Sequence, residues 1–197
     1  MSLVETLVAI FLFSLGIIAV TVLFTRSWKA NSYILEEATA TTAATKALDV
    51  TVKDLRKVRQ ADNGSFPIKS VGNFDLVVYL DDEGDGTTEQ VHYFLDNQGN
   101  FKKGVSRPSG TPAAYPSNDQ TITTLAQHIV NTSSQPVFYY YDKNFPLNTS
   151  NNPIPNPQPG DVKLISVHLW VNIKPNTAPD NINLESFANL RNLNVND

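Results

Sequence analysis

Polar positions are almost missing from the start of the chain. Residues 7–24 (LVAIFLFSLGIIAVTVLF) carry no charge, and Ser14 and Thr21 are the only polar interruptions. An apolar run of about 18 residues is long enough for a membrane-crossing helix. A helix that is apolar on every side must be buried in lipid or in protein. From 25 to 62 there is no Pro or Gly, and the pattern becomes one-faced: Leu48, Val52, Leu55 and Arg59 recur at helical spacing, with Ala38, Thr41 and Thr45 continuing the face upstream. Small residues dominate 38–47, which favours close packing on a sheet or a second helix. Asp62, Asn63 and Gly64, with Pro67 behind them, form a stop signal. The pattern predicts one helix of about 60 residues, roughly 90 Å long.

Beyond residue 63 the chain reads as β structure. FDLVVYL (74–80) and EQVHYFLD (89–96) flank an acidic turn containing Asp85-Gly86, and a third strand is expected over 101–105. PVFYYYD (136–142) and VKLISVHLWVNI (162–173) supply two more. In the last of these, Ile165, Val167, Leu169 and Val171 form a wholly apolar side that should face the helix. The stretches 106–120 and 144–160 are rich in Pro and polar residues and read as loops. The expected class is α+β: a long N-terminal helix, apolar in its first half and packed by its second half on an antiparallel β-sheet head. The divisions are 1–25 (membrane or filament-core half), 26–62 (amphipathic half) and 63–197 (β-rich head).

Charge removes one broad class. With 15 basic and 19 acidic side chains the net charge is −4, so no global attraction to nucleic acid follows. The local run KDLRKVR (53–59) keeps nucleic-acid binding open but reads first as a solvated helix face. There is no cysteine, hence no disulfide and no thiol nucleophile. His92, His128 and His168 show no paired-ligand spacing, and neither a Gly-x-Ser-x-Gly elbow nor a phosphate loop is present. The head is therefore not expected to be an enzyme, and no cofactor is implied.

Glu5 is the anomaly of the apolar segment. A carboxylate in hydrocarbon is costly and calls for a partner. The first basic side chain is Arg26, at the far end of the run. Glu5 either sits at headgroup depth or meets an amine, its own chain's or that of another copy. In this register MSLVETLVAIFLFSLGI resembles the processed N-terminus of type IV pilins and of type II secretion pseudopilins. Members of that family lose a short basic leader to a prepilin peptidase, are N-methylated at the first mature residue, and carry a glutamate at the fifth position. The resemblance implies processing and N-methylation at Met1 and an assembly role for Glu5, neutralising the N-terminal amine of a neighbouring subunit. Val22 stands near where many major pilins have a proline, so any loosening of the helix is expected around 14–16. Arg26 and Lys29 follow the span on the side expected to be outside, against the usual cytoplasmic excess of positive charge, and a basic leader would account for this.

In the head, LVVYLDDEGDG, EQVHYFLDNQGNFKKGV, PVFYYYD and FANLRNLN are similar in order to the J-type pseudopilins and W-type minor pilins. The resemblance favours a minor subunit over a major one. Its implied partners are other copies or other pilins, the inner membrane before assembly, the prepilin peptidase and the assembly machinery. Its implied location is a single-pass cytoplasmic membrane protein that becomes an extracellular or periplasmic filament, with the head outside the cytoplasm. A membrane-anchored binding or adhesion module that never polymerises is the alternative, and an enzyme with an unrecognised site is a third. Asp81, Glu83 and Asp85 before Gly86 mimic the start of a Ca²⁺ loop, but His92 stands where the closing Glu belongs, so a solvated hairpin turn is the expected reading. Asn63, Asn131 and Asn148 each open an Asn-x-Ser/Thr triplet, about as many as chance supplies.

Overall fold

The computed structural model describes residues 2–174 and 181–193. One helix, α1 (Leu3–Leu55), precedes eight strands. The strands β1 (Ile68–Val71), β2 (Asp75–Leu80), β3 (Glu89–Leu95), β4 (Phe101–Ser106) and β5 (Thr121–Ala126) form a five-stranded antiparallel meander in sequence order. A second, three-stranded antiparallel sheet is built from β6 (Phe138–Tyr141), β7 (Leu164–Val171) and β8 (Ile182–Asn189). The chain divides into two compact units, 1–39 and 40–197.

Within the second unit, residues 40–55 of α1 bury one face. Ala40, Ala44, Ala47, Leu48, Val52 and Leu55 share one core with Leu76, Val78, Tyr93, Phe101, Phe138 and the apolar side of β7. Ile165, Val167, Leu169 and Val171 are fully buried, as their alternation requires. The upstream part of the expected face is displaced. Ala38 and Thr45 are exposed while Ala40 and Ala44 are buried, because stepping back from Leu48 by four residues, rather than three, follows the core. Alanine at these positions lets backbone and sheet approach closely.

The helix ends seven residues before 62. Its last turn tightens, with Lys57 N–H donating to the Asp54 carbonyl at 2.8 Å, and Arg59 N–H then donates to the Tyr79 carbonyl at 2.9 Å. Arg59 is thus not on the helix face where the spacing put it. Its side chain instead donates to Thr88 Oγ1 at 2.9 Å and to the Gly86 carbonyl at 2.7 Å, tying the helix exit to the β2–β3 turn.

A buried polar group locks the helix end to the sheet. Asp54 accepts from Tyr93 Oη at 2.6 Å and from Lys103 Nζ at 2.8 Å, and Lys103 also pairs with Asp82. Burial alone would lower the Lys103 pKa, but Asp54 and Asp82 outweigh it and hold the ammonium above its ordinary value. Burial, reinforced by Asp54, pushes the Tyr93 phenol well up, so it stays a neutral donor.

Three strands lie outside the expected set: β1, β5 and β8. All three lie at sheet edges. The β3–β4 turn depends on Gly99, whose φ is 75° and whose missing Cβ would lie 2.7 Å from the Ile129 carbonyl oxygen. Only glycine allows that approach.

Candidate functional site

The N-terminal unit presents its apolar residues rather than hiding them. Every residue from 2 to 32 is exposed, and the helix is long and apolar enough to cross a membrane. Its polar side chains are satisfied locally: Ser14 Oγ donates to the Ile10 carbonyl at 2.8 Å, Thr21 Oγ1 to Ile17 at 2.8 Å and Thr25 Oγ1 to Thr21 at 3.0 Å. Hydroxyls bonded in this way cost little in hydrocarbon. At the far end Phe24 and Trp28 pair with ring centroids 6.1 Å apart, beside Arg26 and Lys29. Aromatic and basic side chains together suit a membrane–water boundary. The helix runs unbroken through 14–16, and Gly16 faces open space.

Glu5 has a partner that its distance from any basic residue concealed. Ser2 N–H donates to Glu5 Oε2 at 3.3 Å, and Glu5 N–H donates to Ser2 Oγ at 3.3 Å. This reciprocal pair is a capping box, which satisfies two amides that would otherwise lack acceptors. The signal was present in the sequence as Ser2-x-x-Glu5 before an apolar run. A carboxylate in the first turn also meets the positive end of the helix dipole. Met1, the residue assigned to processing, lies outside the described residues.

The acidic turn brings Asp81, Glu83 and Asp85 together but turns them to different partners. Asp81 accepts from Gly84 N–H at 2.6 Å and Gly86 N–H at 3.0 Å, with Arg59 at 3.7 Å. Glu83 pairs with Arg107, and Asp85 caps Thr87 N–H at 2.8 Å while lying 3.8 Å from Arg107. The Thr87 bonds, aided by Arg107, hold the Asp85 carboxyl below its ordinary range. Glu89, fully buried beneath the turn, is pushed up by burial although it accepts from Asp82 N–H at 2.9 Å. Among the described residues no three His, Cys, Asp or Glu side chains gather at metal-binding distance. These carboxylates shape the turn and balance Arg59, Arg107 and Lys103.

The histidines form side-chain pairs that sequence spacing did not suggest. His92 Nδ1 lies 3.0 Å from Asp119 Oδ2 and its ring stacks on Phe94. His168 Nε2 lies 2.8 Å from Ser166 Oγ, and its Nδ1 lies 3.4 Å from Glu185 Oε2 on the adjacent strand. A serine, a histidine and an acid in line have the connectivity of a nucleophile relay. Ser166 is fully buried, so in this arrangement no substrate reaches its hydroxyl. Burial lowers the His168 pKa, partly opposed by Glu185, and the neutral ring links β7 to β8. The backbone of His128 has φ 61°, and its carbonyl accepts from Asn172 N–H at 3.0 Å.

Asn131 is likewise structural: its amide donates to the carbonyls of Gln135, Pro136 and His168, and its oxygen accepts from Trp170 N–H. That carboxamide is fully used inside the fold. The chain matches no family model, no curated protein and no solved structure.

Proposed function

We propose that the chain is a structural subunit of a type IV pilus-like filament, held in a membrane by its N-terminal helix before assembly and packed through that helix afterwards, with the head exposed outside the cytoplasm. The observation that carries this reading is an apolar helical stretch exposed throughout residues 2–32, with a carboxylate at residue 5 of the chain. Such a surface needs lipid or other helices around it. In the assembled state Glu5 neutralises the N-terminal amine of a neighbouring subunit, Met1 being the processed and methylated residue. The order of the head motifs favours a minor, pseudopilin-like subunit over a main one.

One observation favours a second reading, a membrane-anchored binding module that never polymerises. Glu5 already has a role inside its own chain, through Ser2. Two substitutions separate the readings. Glu5→Gln keeps the capping box, because glutamine serves at that position, but removes the charge. Glu5→Leu removes both. If Glu5 pairs with an amine, both variants remain in the membrane fraction and both lose incorporation into sheared filaments by at least ten-fold. If Glu5 only caps its helix, Glu5→Gln behaves as the native chain, and the assembly role is wrong. Immunogold labelling of the head distinguishes a main subunit, which marks the shaft, from a minor one confined to tips.

A further inference from the structure

The 22 residues between β6 and β7 form a built loop rather than a loose connection. Its ends meet where Lys163 N–H donates to the Tyr141 carbonyl at 2.9 Å, and Ile154 N–H donates to Tyr140 at 2.8 Å. Asn152 is the internal clasp. Its amide donates to Asp142 Oδ1 at 2.8 Å and to the Asn148 carbonyl at 3.0 Å, while its oxygen accepts from Asp142 N–H at 3.0 Å. These bonds hold the Asp142 carboxyl below its ordinary range, with Asn152 the main cause. Long ordered connections of this kind usually serve a function, since ordering them costs entropy.

The loop encloses an open cleft of about 570 Å³. That is within the size range of small-molecule sites. Its charges balance, Asp142 and Asp161 against Lys143 and Lys163, and its lining includes Ile154 and Pro155. Asn151 and Asn156 also line it, and their carboxamides make no hydrogen bond among the described residues. Each carboxamide both donates and accepts. A hydroxyl group does the same, so a polyhydroxylated ligand matches this lining, where an anion or a cation would meet like charges as well as opposite ones. On the chain Tyr141 and Phe145 flank the lining residues 142–144, and their rings pack with centroids 4.4 Å apart.

We propose that this cleft binds a neutral saccharide, with Asn151 and Asn156 reading its hydroxyls. The inference does not depend on the filament reading, because it concerns the head alone. The test uses the full chain in a detergent without a sugar headgroup and saturation-transfer NMR. The probes are neutral trisaccharides of glucose, mannose, galactose and N-acetylglucosamine, with trigalacturonate as the acidic control. At least one neutral trisaccharide is expected to bind saturably, at least ten-fold more tightly than the acidic one. The variant Asn151→Ala with Asn156→Ala should weaken it at least ten-fold while leaving the circular dichroism spectrum unchanged. No saturable binding across the panel, equal binding of trigalacturonate, or full binding by the double variant would each overturn the proposal. Asn152→Ala, which opens the clasp, serves as a second variant and should also reduce binding.

Discussion

Residues 7–24 and 40–55 belong to one continuous helix, yet they solve opposite problems. The first stretch is apolar on all sides and exposed on all sides, and hydroxyls bonded back to its own carbonyls keep it free of unsatisfied polar groups. The second is apolar on one face only and buries that face, using Ala40, Ala44 and Ala47 for closeness and Leu48, Val52 and Leu55 for area. Hydrophobicity alone therefore does not indicate burial within the fold. A helix can be apolar for a solvent or a partner that its own chain does not provide, and the angular distribution of apolar residues tells the two cases apart.

The largest effect is expected where the second stretch meets the sheet through charge. Lys103→Met leaves Asp54 and Asp82 without their shared cation, and removing one partner of a buried pair costs about 3–5 kcal/mol. Urea unfolding of the full chain in micelles should show that loss in the head transition. A change under 1 kcal/mol, the value typical of surface pairs, would mean that the cluster is solvated. Next in size is one substitution made twice. Leu55→Ala, at a fully buried site, should cost about 3 kcal/mol of head stability. Leu12→Ala, at a residue 61% exposed, should change it by less than about 0.5 kcal/mol. Equal effects would erase the distinction between the two stretches.

The smallest effect is a matter of pH. Burial pushes Asp96 up, but Lys102 at 2.7 Å and the Asn100 and Gln98 bonds outweigh it and hold its carboxyl well below the usual carboxylate range. An acid with a depressed folded pKa contributes stability that is present above its unfolded value and is lost as pH falls toward the folded one. The urea midpoint of the head should therefore fall as pH drops below about 4, and fall less steeply in Asp96→Asn. Parallel acid limbs in the two proteins would remove Asp96 from the explanation.

Much of this architecture was legible from residue pattern. The apolar span, the helix that follows it, and β2, β3, β4, β6 and β7 all declare themselves: the helix through its spacing, β2, β3 and β6 through β-branched and aromatic runs, β4 through the turn before it, and β7 through alternation. The three strands that escaped, β1, β5 and β8, are edge strands, and the fourth edge strand, β6, was legible only through its aromatic run. An edge strand such as TITTLA pairs on one side only, so its side-chain pattern is weakly constrained and its conformation is set by the neighbour it joins. The helix terminus was misjudged for a related reason. Nothing in the composition of 56–62 ends a helix, but the Tyr79 carbonyl captures Arg59 N–H and diverts the chain.

Sites divide the same way. The Ser2–Glu5 box is local, four residues in a row, and could be read from the sequence by anyone looking for it. The Ser166–His168–Glu185 line, the Asp54–Tyr93–Lys103–Asp82 group and the cleft within 142–163 could not be read there. Each depends on which strands become neighbours or on where a loop closes. Sequence by itself determined the α+β class, the apolar helix and the position of its one carboxylate, because those follow from periodicity and chain order. Tertiary structure alone decided which polar groups meet, since a hydrogen bond between residues such as 54 and 93 is a property of distance in space, and local pattern carries no information about that distance.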